Sequence, residues 1–266
     1  MITSIRNPLV KQIRRLHRTK GRREENLLLL EGTHLVQTAY EANCSLITLC
    51  YTEQWRARYP QLWENVSQRV TRSELVSVEV LGSMTTTINP DGVVLTSLFQ
   101  PPTEPKIRDF NLGLIIERLQ DPGNLGTIIR TAAATEVDGI WLSDDSVDID
   151  HPKVLRASAG AWFQVPMFVS SDLTNVVTKY RNNGVNIVAT LPNTTRTYWH
   201  SQLTKPTLIL VGNEGSGLSD SLVSLANEII SIPLGEGVES LNVAIATALI
   251  LYEAKRQEIF KVISEQ

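Results

Sequence analysis

The stretch LGLIIERLQDPGNLGTIIRTAAATEVDGIWLS, residues 112–143, carries a strand–turn–helix–strand pattern. An apolar run comes first, Asp121-Pro122-Gly123 predicts a tight turn, and residues 124–135 have helical periodicity. A second apolar run, residues 139–143, predicts the next strand. Because a helix that joins two buried strands is typical of parallel sheets, this unit favours an α/β fold.

The same alternation continues towards the end of the chain. The other predicted strands are residues 165–169, 185–190, 207–212 and 228–234, and the other predicted helices are about 152–158, 172–182, 218–226 and 241–261. Periodicity alone therefore favours an unknotted, doubly wound parallel sheet with helices on both faces. Ligands of such sheets bind at the carboxyl ends of the strands.

A proline-rich segment, FQPPTEPKIRDF at residues 99–110, predicts a domain boundary, since prolines disfavour helix and strand interiors. We expect an N-terminal domain at 1–100, a linker at 101–108 and a second domain at 109–266. The N-terminal part reads as a small α/β unit. It begins with an amphipathic helix in which Leu9, Ile13 and Leu16 share one face.

The composition excludes several classes of protein. The 266 residues are 42% hydrophobic, which suffices for a core without disulfides or metals. The two cysteines, Cys44 and Cys50, predict ordinary thiols in a reducing cytoplasm. We expect a cytoplasmic protein with no membrane association, because neither a signal peptide nor a run of about 20 apolar residues is evident.

The net charge of −3 argues against a uniformly basic nucleic-acid binder, but basic residues crowd the first 25 positions. Such a local patch can bind phosphate although the chain is acidic overall. Within this patch, the residues expected to contact phosphates of a ligand are Arg14, Arg15, Arg22 and Arg23.

Three loops carry candidate chemistry. In the first, Asn124 is a good helix N-cap and Arg130 lies within the helix, whose N-terminus could hold an anion. The dinucleotide fingerprint GxGxxG is absent there, and a well-made turn is the simpler explanation. The second loop, LILVGNEGSGLSD at 208–220, places Glu214 at a strand tip among glycines, which permit backbone approach to a ligand.

The third loop is PLGEGVESLNVAIATALILYEAKRQ, residues 233–257. Capping could explain Ser240, but it explains Asn242 less well, because asparagine is a poor residue for a helix interior. An amide buried there needs a partner, so we expect Asn242 to hydrogen-bond a neighbouring loop or a ligand.

Other candidates are weaker. His151 could be a base, although lone surface histidines usually are not. The carboxylates of SDDSVDID, residues 143–150, do not fit an ordered metal loop, so a solvated turn and no metal are expected. The pairs Trp162-Phe163 and Tyr198-Trp199 could stack on bases, but core packing is the more common role.

Three segments resemble the motifs of the SpoU, or TrmH-like, branch of the SPOUT RNA 2′-O-ribose methyltransferases. They are NLGTIIRTAAATEVDGIWL, LILVGNEGSGLS and ISIPLGEGVESLNVAIATALILYEAKRQ. The N-terminal part, with SIRNPLVKQIRRL and LLLLEGTHLVQTA, is similar to the L30e-like substrate-binding domain of many members. The resemblance implies a C-terminal α/β domain with a trefoil knot, a homodimer with a shared active site, and S-adenosylmethionine as methyl donor.

The resemblance also assigns residues to the site. The expected catalytic positions are Asn124, Arg130, Glu214, Ser240 and Asn242, and the expected donor-binding positions are Thr190, Gly212, Ile232, Leu234 and Leu241. Many members have glycine where Glu236 stands, which could alter the donor loop.

The expected function is S-adenosylmethionine-dependent methylation of an RNA ribose 2′-hydroxyl, most readily in ribosomal RNA of the 23S type, since the N-terminal domain is similar to those of rRNA-modifying members. Transfer RNA is the alternative substrate. A non-catalytic RNA-binding or ribosome-assembly protein on the same fold and a nucleotide-dependent dehydrogenase are the rival classes. The missing GxGxxG argues against the dehydrogenase.

Overall fold

The computed structural model of the protein describes residues 1–192, 194–213 and 215–264. The chain forms two compact units. The first comprises Met1–Gln100 with Asp148–Phe163, and the second comprises Pro101–Val147 with Gln164–Gln266. Residue 100, the predicted end of the N-terminal domain, is also where the first segment of the first unit ends. Asp148–Phe163, in contrast, lies outside the predicted N-terminal domain.

The first unit is built on a four-stranded sheet of order β1-β4-β2-β3. β4 runs antiparallel to β1 and β2, and β3 runs parallel to β2. Its elements are α1 Pro8–Arg15, α2 Thr19–Glu25, β1 Leu27–Glu31, α3 Thr33–Glu41, β2 Leu46–Tyr51, α4 Glu53–Arg58, α5 Pro60–Ser67, β3 Arg72–Leu75, α6 Val78–Met84, β4 Val93–Leu98 and α8 Pro152–Ala157.

Both faces of β1 are buried, which explains its continuous apolar run. Leu28 and Leu30 pack into one core cluster, and Leu27 and Leu29 pack into the cluster on the opposite face. This is the alternation that a strand imposes on its side chains. The predicted amphipathic face of α1 packs into the second cluster with Leu9, Ile13 and Leu16.

Buried ion pairs of Arg22 with two aspartates differ from two of the sequence predictions. The side chain of Arg22 is only 1% exposed, and it faces Asp148 at 2.9 Å and Asp150 at 3.0 Å. Arg22 therefore does not present its guanidinium to an RNA phosphate, in contrast to the prediction. The carboxylates at 148 and 150 likewise neutralise this cation, where the sequence suggested only a solvated turn.

His151 serves as the N-cap of α8, in which its Nδ1 accepts a hydrogen bond from the Lys153 N–H at 3.1 Å. Burial, and next the nearby Arg22 cation, lower the pKa of this imidazole. The folded protein therefore favours the neutral ring, which can accept the capping hydrogen bond. The structure thus assigns His151 a structural role and not that of a base.

We expect His151 to make the first unit less stable at acidic pH. A lowered folded-state pKa means that the unfolded chain binds more protons, so this stabilisation is full above about pH 6.5 and is lost as the pH falls through the folded-state pKa. Thermal unfolding from pH 7.5 down to about 5.5 should show a smaller drop in Tm for His151→Asn, since asparagine caps without titrating. Equal pH dependence of the two proteins would contradict this role.

The second unit contains a six-stranded parallel sheet of order β10-β8-β9-β5-β6-β7. Its elements are β5 Leu112–Ile116, α7 Pro122–Ala134, β6 Gly139–Ser143, β7 Met167–Ser170, α9 Leu173–Asn182, β8 Asn186–Thr190, β9 Thr207–Val211, α10 Asp220–Val223, β10 Glu228–Ile230 and α11 Val243–Ser264. The predicted parallel sheet is confirmed. The last strand is shorter than predicted, because residues 231–234 leave the sheet.

The centre of this sheet is buried on both faces, as the apolar runs of β5 and β9 predict. Phe110, Trp141 and Tyr180 form an aromatic cluster on one face, with ring centroids 4.7–6.3 Å apart. α11 packs against α7. Within the described residues, no helix has the combination of length and apolar character that a membrane span requires.

Candidate functional site

A cavity of about 390 Å³ opens at the carboxyl edge of the six-stranded sheet. Its walls come from the ends of β8, β9 and β10 and from the first turns of α11. The five residues expected to hold the methyl donor all line this one cavity: Thr190, Gly212, Ile232, Leu234 and Leu241. We call it the carboxyl-edge cavity. Its size suits a small organic ligand.

Close approach of two backbone segments shapes the wall next to β9. A Cβ atom on Gly212 would lie 2.2 Å from the Gly217 carbonyl carbon and 2.3 Å from the Leu218 nitrogen. Only glycine fits at position 212 without moving the loop. Gly217 has a φ of +62°, the left-handed conformation that glycine adopts at no steric cost.

Three polar residues that the sequence analysis did not assign brace this loop. Asn213 donates from Nδ2 to the Arg118 carbonyl at 2.7 Å and accepts from the Gly215 N–H at 2.8 Å. Glu117 accepts from the Ser219 N–H at 2.7 Å, and Arg118 donates to the Gly217 carbonyl at 3.3 Å. The sequence could have identified these residues by their position just after β5 and β9. The carboxyl ends of adjacent parallel strands lie at the same edge of the sheet, where ligands bind.

The start of α7 differs from the prediction in its capping residue. Asp121, not Asn124, is the N-cap, and its Oδ1 accepts from the Asn124 N–H at 2.8 Å. Pro122 takes the first helical position, where its fixed φ and missing N–H are favourable. Asn124 therefore lies in the first turn, where its side chain makes tertiary contacts.

Asn242 makes one such contact and also caps α11. Its Oδ1 accepts from the N–H of Ala244 at 2.9 Å, and its Nδ2 donates to Asn124 Oδ1 at 3.0 Å. The expectation of a specific partner for Asn242 is thus met by the first turn of α7. Asn242, and not Ser240, is therefore the residue that caps α11. Ser240 is exposed and lines the carboxyl-edge cavity.

Arg130 and Glu214 are the remaining expected catalytic residues. Arg130 is exposed on α7, does not line the carboxyl-edge cavity, and has no ion-pair partner in the part of the chain that the structure describes. Glu214 lies outside the described residues. Glu236, the departure from the resemblance, is exposed and is not part of the cavity wall.

The first unit carries a separate basic surface between α1 and α2. It forms a depression of about 660 Å³, and the cations that line it are Lys11, Arg14, Arg15, Arg18 and Lys20. We call it the α1–α2 basic surface. Arg14 and Arg15 were predicted to bind RNA, whereas the other three were not assigned this role. Arg15 is paired with Glu24 and Glu25 at 2.6 and 3.1 Å.

The fourth predicted RNA contact, Arg23, is 73% exposed in its side chain and lies 3.2 Å from Asp148. It does not line the α1–α2 basic surface. As for metals, the described residues contain no group of three or more His, Cys, Asp or Glu side chains placed to hold an ion.

Comparisons with known proteins match both parts of the chain to known families. Residues 111–252 match the SpoU rRNA Methylase family, and residues 7–95 match the MRM3-like substrate binding domain. An uncharacterized tRNA/rRNA methyltransferase of Synechocystis is 46% identical, over 97% of this chain and 94% of its own length. The 23S rRNA (guanosine(2553)-2′-O)-methyltransferase RlmP of Bacillus subtilis is 31% identical, over 96% and 98%.

A solved structure shares the whole architecture. The AdoMet-bound rRNA methyltransferase from Sinorhizobium meliloti superposes with a TM-score of 0.83 at 32% sequence identity. The superposition covers 96% of this chain and 97% of that protein. The similarity thus extends over both units and is not restricted to the sheet that carries the carboxyl-edge cavity.

Proposed function

This chain belongs to the SpoU rRNA methylase family, and from that premise we propose that it methylates a ribose 2′-hydroxyl of ribosomal RNA. It is an RNA 2′-O-methyltransferase of the EC 2.1.1 class with S-adenosylmethionine as methyl donor. Membership confirms the SPOUT fold class expected from the resemblance and replaces the unknotted sheet that periodicity alone favoured.

The carboxyl-edge cavity is the observation that carries the proposal, because its construction fits this donor. Its wall is mainly apolar, with Val211, Leu218 and Ile250 among the lining side chains, which suits a planar base. In the wall next to β9, Gly212 lets the backbone of Gly217 and Leu218 pack directly against it. When bound, the donor supplies a methyl group on a sulfonium; the chain supplies the shape that holds it.

Gly212→Ala is expected to weaken donor binding at least about tenfold, since the added methyl group forces the wall to open. Isothermal titration calorimetry with S-adenosylmethionine measures this effect. Gly82→Ala is a matched control, because a Cβ at this exposed position of α6 meets no atom within 4 Å. Equal donor affinity of the Gly212→Ala and wild-type proteins would remove the carboxyl-edge cavity as the donor site.

Arg130 and the Asn124–Asn242 pair are proposed to act on the ribose. A guanidinium stays protonated, so Arg130 cannot act as general base. It can hold an adjacent phosphate and stabilise negative charge that develops on the 2′-oxygen. The hydroxyl proton then needs another acceptor, and Glu214, a substrate phosphate or water can serve.

We propose that the active site is completed by a second copy of the chain. An apolar stripe runs along α11, with Ile245, Leu249 and Tyr252 at 52%, 38% and 55% exposure. Their spacing of four and three residues places them on one helix face, as in helix pairs. α7, which carries the exposed Arg130, packs beside α11, so a dimer across this stripe brings Arg130 to a shared site.

The domain division is proposed to follow function: residues 1–100 bind RNA, 101–108 link, and 109–266 transfer the methyl group. The match of residues 7–95 to a substrate binding domain supports this division. The α1–α2 basic surface is the proposed phosphate contact of the first unit. The cytoplasm is the proposed location, because ribosomal RNA is the proposed substrate.

Removing three cations of the α1–α2 basic surface is expected to flatten the salt dependence of RNA binding. Lys11→Ala, Arg14→Ala and Arg18→Ala together should reduce the slope of log K against log salt by about two units, since each phosphate contact contributes about 0.7–0.9. Filter binding to 23S rRNA across a salt series measures the slope. Arg58→Ala, an exposed cation of α4 outside this surface, should leave it unchanged; an unchanged slope in the triple variant would exclude the surface.

The proposed function is tested with labelled S-adenosylmethionine and purified 23S rRNA, 16S rRNA and tRNA as separate substrates. Label in 23S rRNA at a ribose 2′-oxygen is the expected result. Label found only in tRNA would identify tRNA, and not ribosomal RNA, as the substrate. Donor binding without any transfer would favour the non-catalytic alternative.

A further inference from the structure

Trp199 is a large aromatic residue that the proposed function does not use. It lies in the 3-10 turn Tyr198–His200, beside the Tyr198 ring at a centroid distance of 5.4 Å, and is 59% exposed. The other aromatic pair noted in the sequence behaves differently, because Trp162 packs against the core of the first unit. Core packing, the expected role of Tyr198-Trp199, therefore does not account for Trp199.

The backbone around Trp199 is held in place by neighbouring elements of the second unit. The Tyr198 N–H donates to the Ser231 carbonyl at 3.0 Å, and the Ser231 N–H donates to the Arg196 carbonyl at 2.9 Å. From α11, Gln257 donates to the Ser201 carbonyl and accepts from the Leu203 N–H, each at 2.9 Å. A ring presented on such a segment costs little ordering entropy when it binds a ligand.

Basic side chains line a depression of about 440 Å³ next to this turn. They are Arg181, Arg196, His200 and Lys205, of which Arg196 lies three residues before Trp199 and His200 directly after it. Arg196 is paired with Glu228, the one carboxylate among the described lining residues. Arg181 and Lys205 are exposed and have no ion-pair partner within the described chain. Two cations are thus available to a bound anion.

This surface lies at the opposite edge of the sheet from the carboxyl-edge cavity. Asn186, the first residue of β8, lines the depression, whereas Thr190, the last residue of β8, lines the carboxyl-edge cavity. The two sites are therefore about 13 Å apart along this strand. A nucleotide bound here is a different nucleotide from the one whose ribose is methylated.

We propose that Trp199, with Arg181 and Lys205, binds a single-stranded segment of the RNA substrate next to the target nucleotide. The ring stacks on a base, and the two cations contact backbone phosphates, the combination by which proteins hold single strands without reading their sequence. A free anion needs the cations but not the exposed ring, so the ring favours RNA. This inference rests on the proposed function.

The test measures binding of a twelve-nucleotide oligouridylate by fluorescence anisotropy of a labelled strand. Trp199→Leu should weaken binding about tenfold, and Trp199→Phe, which keeps an aromatic face, should stay within about threefold of wild type. Arg181→Ala with Lys205→Ala should lower the slope of log K against log salt by about 1.4. Lys106→Ala, a control at an exposed lysine of the same unit outside the depression, should leave the slope unchanged.

Three results would overturn the inference. One is unchanged binding in Trp199→Leu. Another is a changed molar mass of Trp199→Leu in light scattering, which would make the ring a contact between copies. The third is binding of inorganic phosphate that depends on Arg181 and Lys205 while oligouridylate binding depends on none of the three residues.

A methyl-transfer assay with 23S rRNA and the same proteins distinguishes a failure of this inference from a failure of the proposed function. Wild type that transfers no methyl group contradicts the proposed function. If wild type is active while Trp199→Leu and the double variant keep wild-type KM for RNA, only the inference about Trp199 fails. The expected outcome is a raised KM for RNA with unchanged donor affinity.

Discussion

Arg130→Ala is expected to lower the rate of methyl transfer about 100- to 1000-fold, the effect of removing one charge-stabilising donor from an active site. Donor binding should stay within about twofold of wild type, because Arg130 does not line the carboxyl-edge cavity. Stability should be unaffected, since the side chain is exposed and has no ion-pair partner in the described chain. Single-turnover assays with 23S rRNA and calorimetry with the donor measure the two effects.

Two variants sharpen the assignment of Arg130. Arg130→Lys keeps the charge but not the two-pronged geometry of the guanidinium, so it should recover only a small part of the lost rate. Arg108→Ala removes an exposed arginine elsewhere in the second unit and should be fully active. A loss of donor affinity in Arg130→Ala that matches the loss of rate would show that Arg130 holds the donor.

Arg22→Met is expected to destabilise the first unit by about 3–5 kcal/mol, the usual effect of removing one partner from a buried ion pair. Methionine fills a similar volume but leaves Asp148 and Asp150, whose side chains are 23% and 20% exposed, without their cation. The partial exposure of these carboxylates favours the lower end of the range. Urea unfolding followed by circular dichroism measures the loss of stability.

Arg23→Met is the matched control for Arg22→Met. Arg23 faces the same Asp148 at 3.2 Å but is 73% exposed in its side chain, so its loss should cost less than about 1 kcal/mol. Equal stability of Arg22→Met and wild type, combined with weaker RNA binding, would restore the RNA contact that the sequence suggested for Arg22.

Much of the second unit was predictable because its central strands, β5 and β9 among them, are buried on both faces. Such strands appear in the sequence as apolar runs between turns, and the order of strands and helices along the chain implies parallel pairing. The family motifs implied the expected donor positions, and Thr190, Gly212 and Leu241 line one cavity. Periodicity alone did not indicate the knot, because physical rules derived from ordinary folds exclude it.

The helix caps show where local reasoning was insufficient. Asp121 and Asn124 are both good caps by residue type, and so are Ser240 and Asn242. Which of the two candidates caps the helix depends on which one directly precedes the first residue with helical φ and ψ angles. It also depends on which tertiary contacts the side chain of the other candidate makes. Asn124 and Asn242, 118 positions apart, meet each other at 3.0 Å.

Short-range periodicity establishes the α/β class of this chain, and the resemblance of its motifs to the SpoU family implies the methyltransferase activity and the donor-binding role of the glycine-containing loop. The packed structure decides which polar residues are used and how. It buries Arg22 against Asp148 and Asp150, leaves Arg130 and Trp199 at the surface, and places Asp148–Phe163 in the first unit. The physical reason is that burial and charge pairing depend on contacts between segments distant in sequence. Local residue preferences carry no information about such contacts.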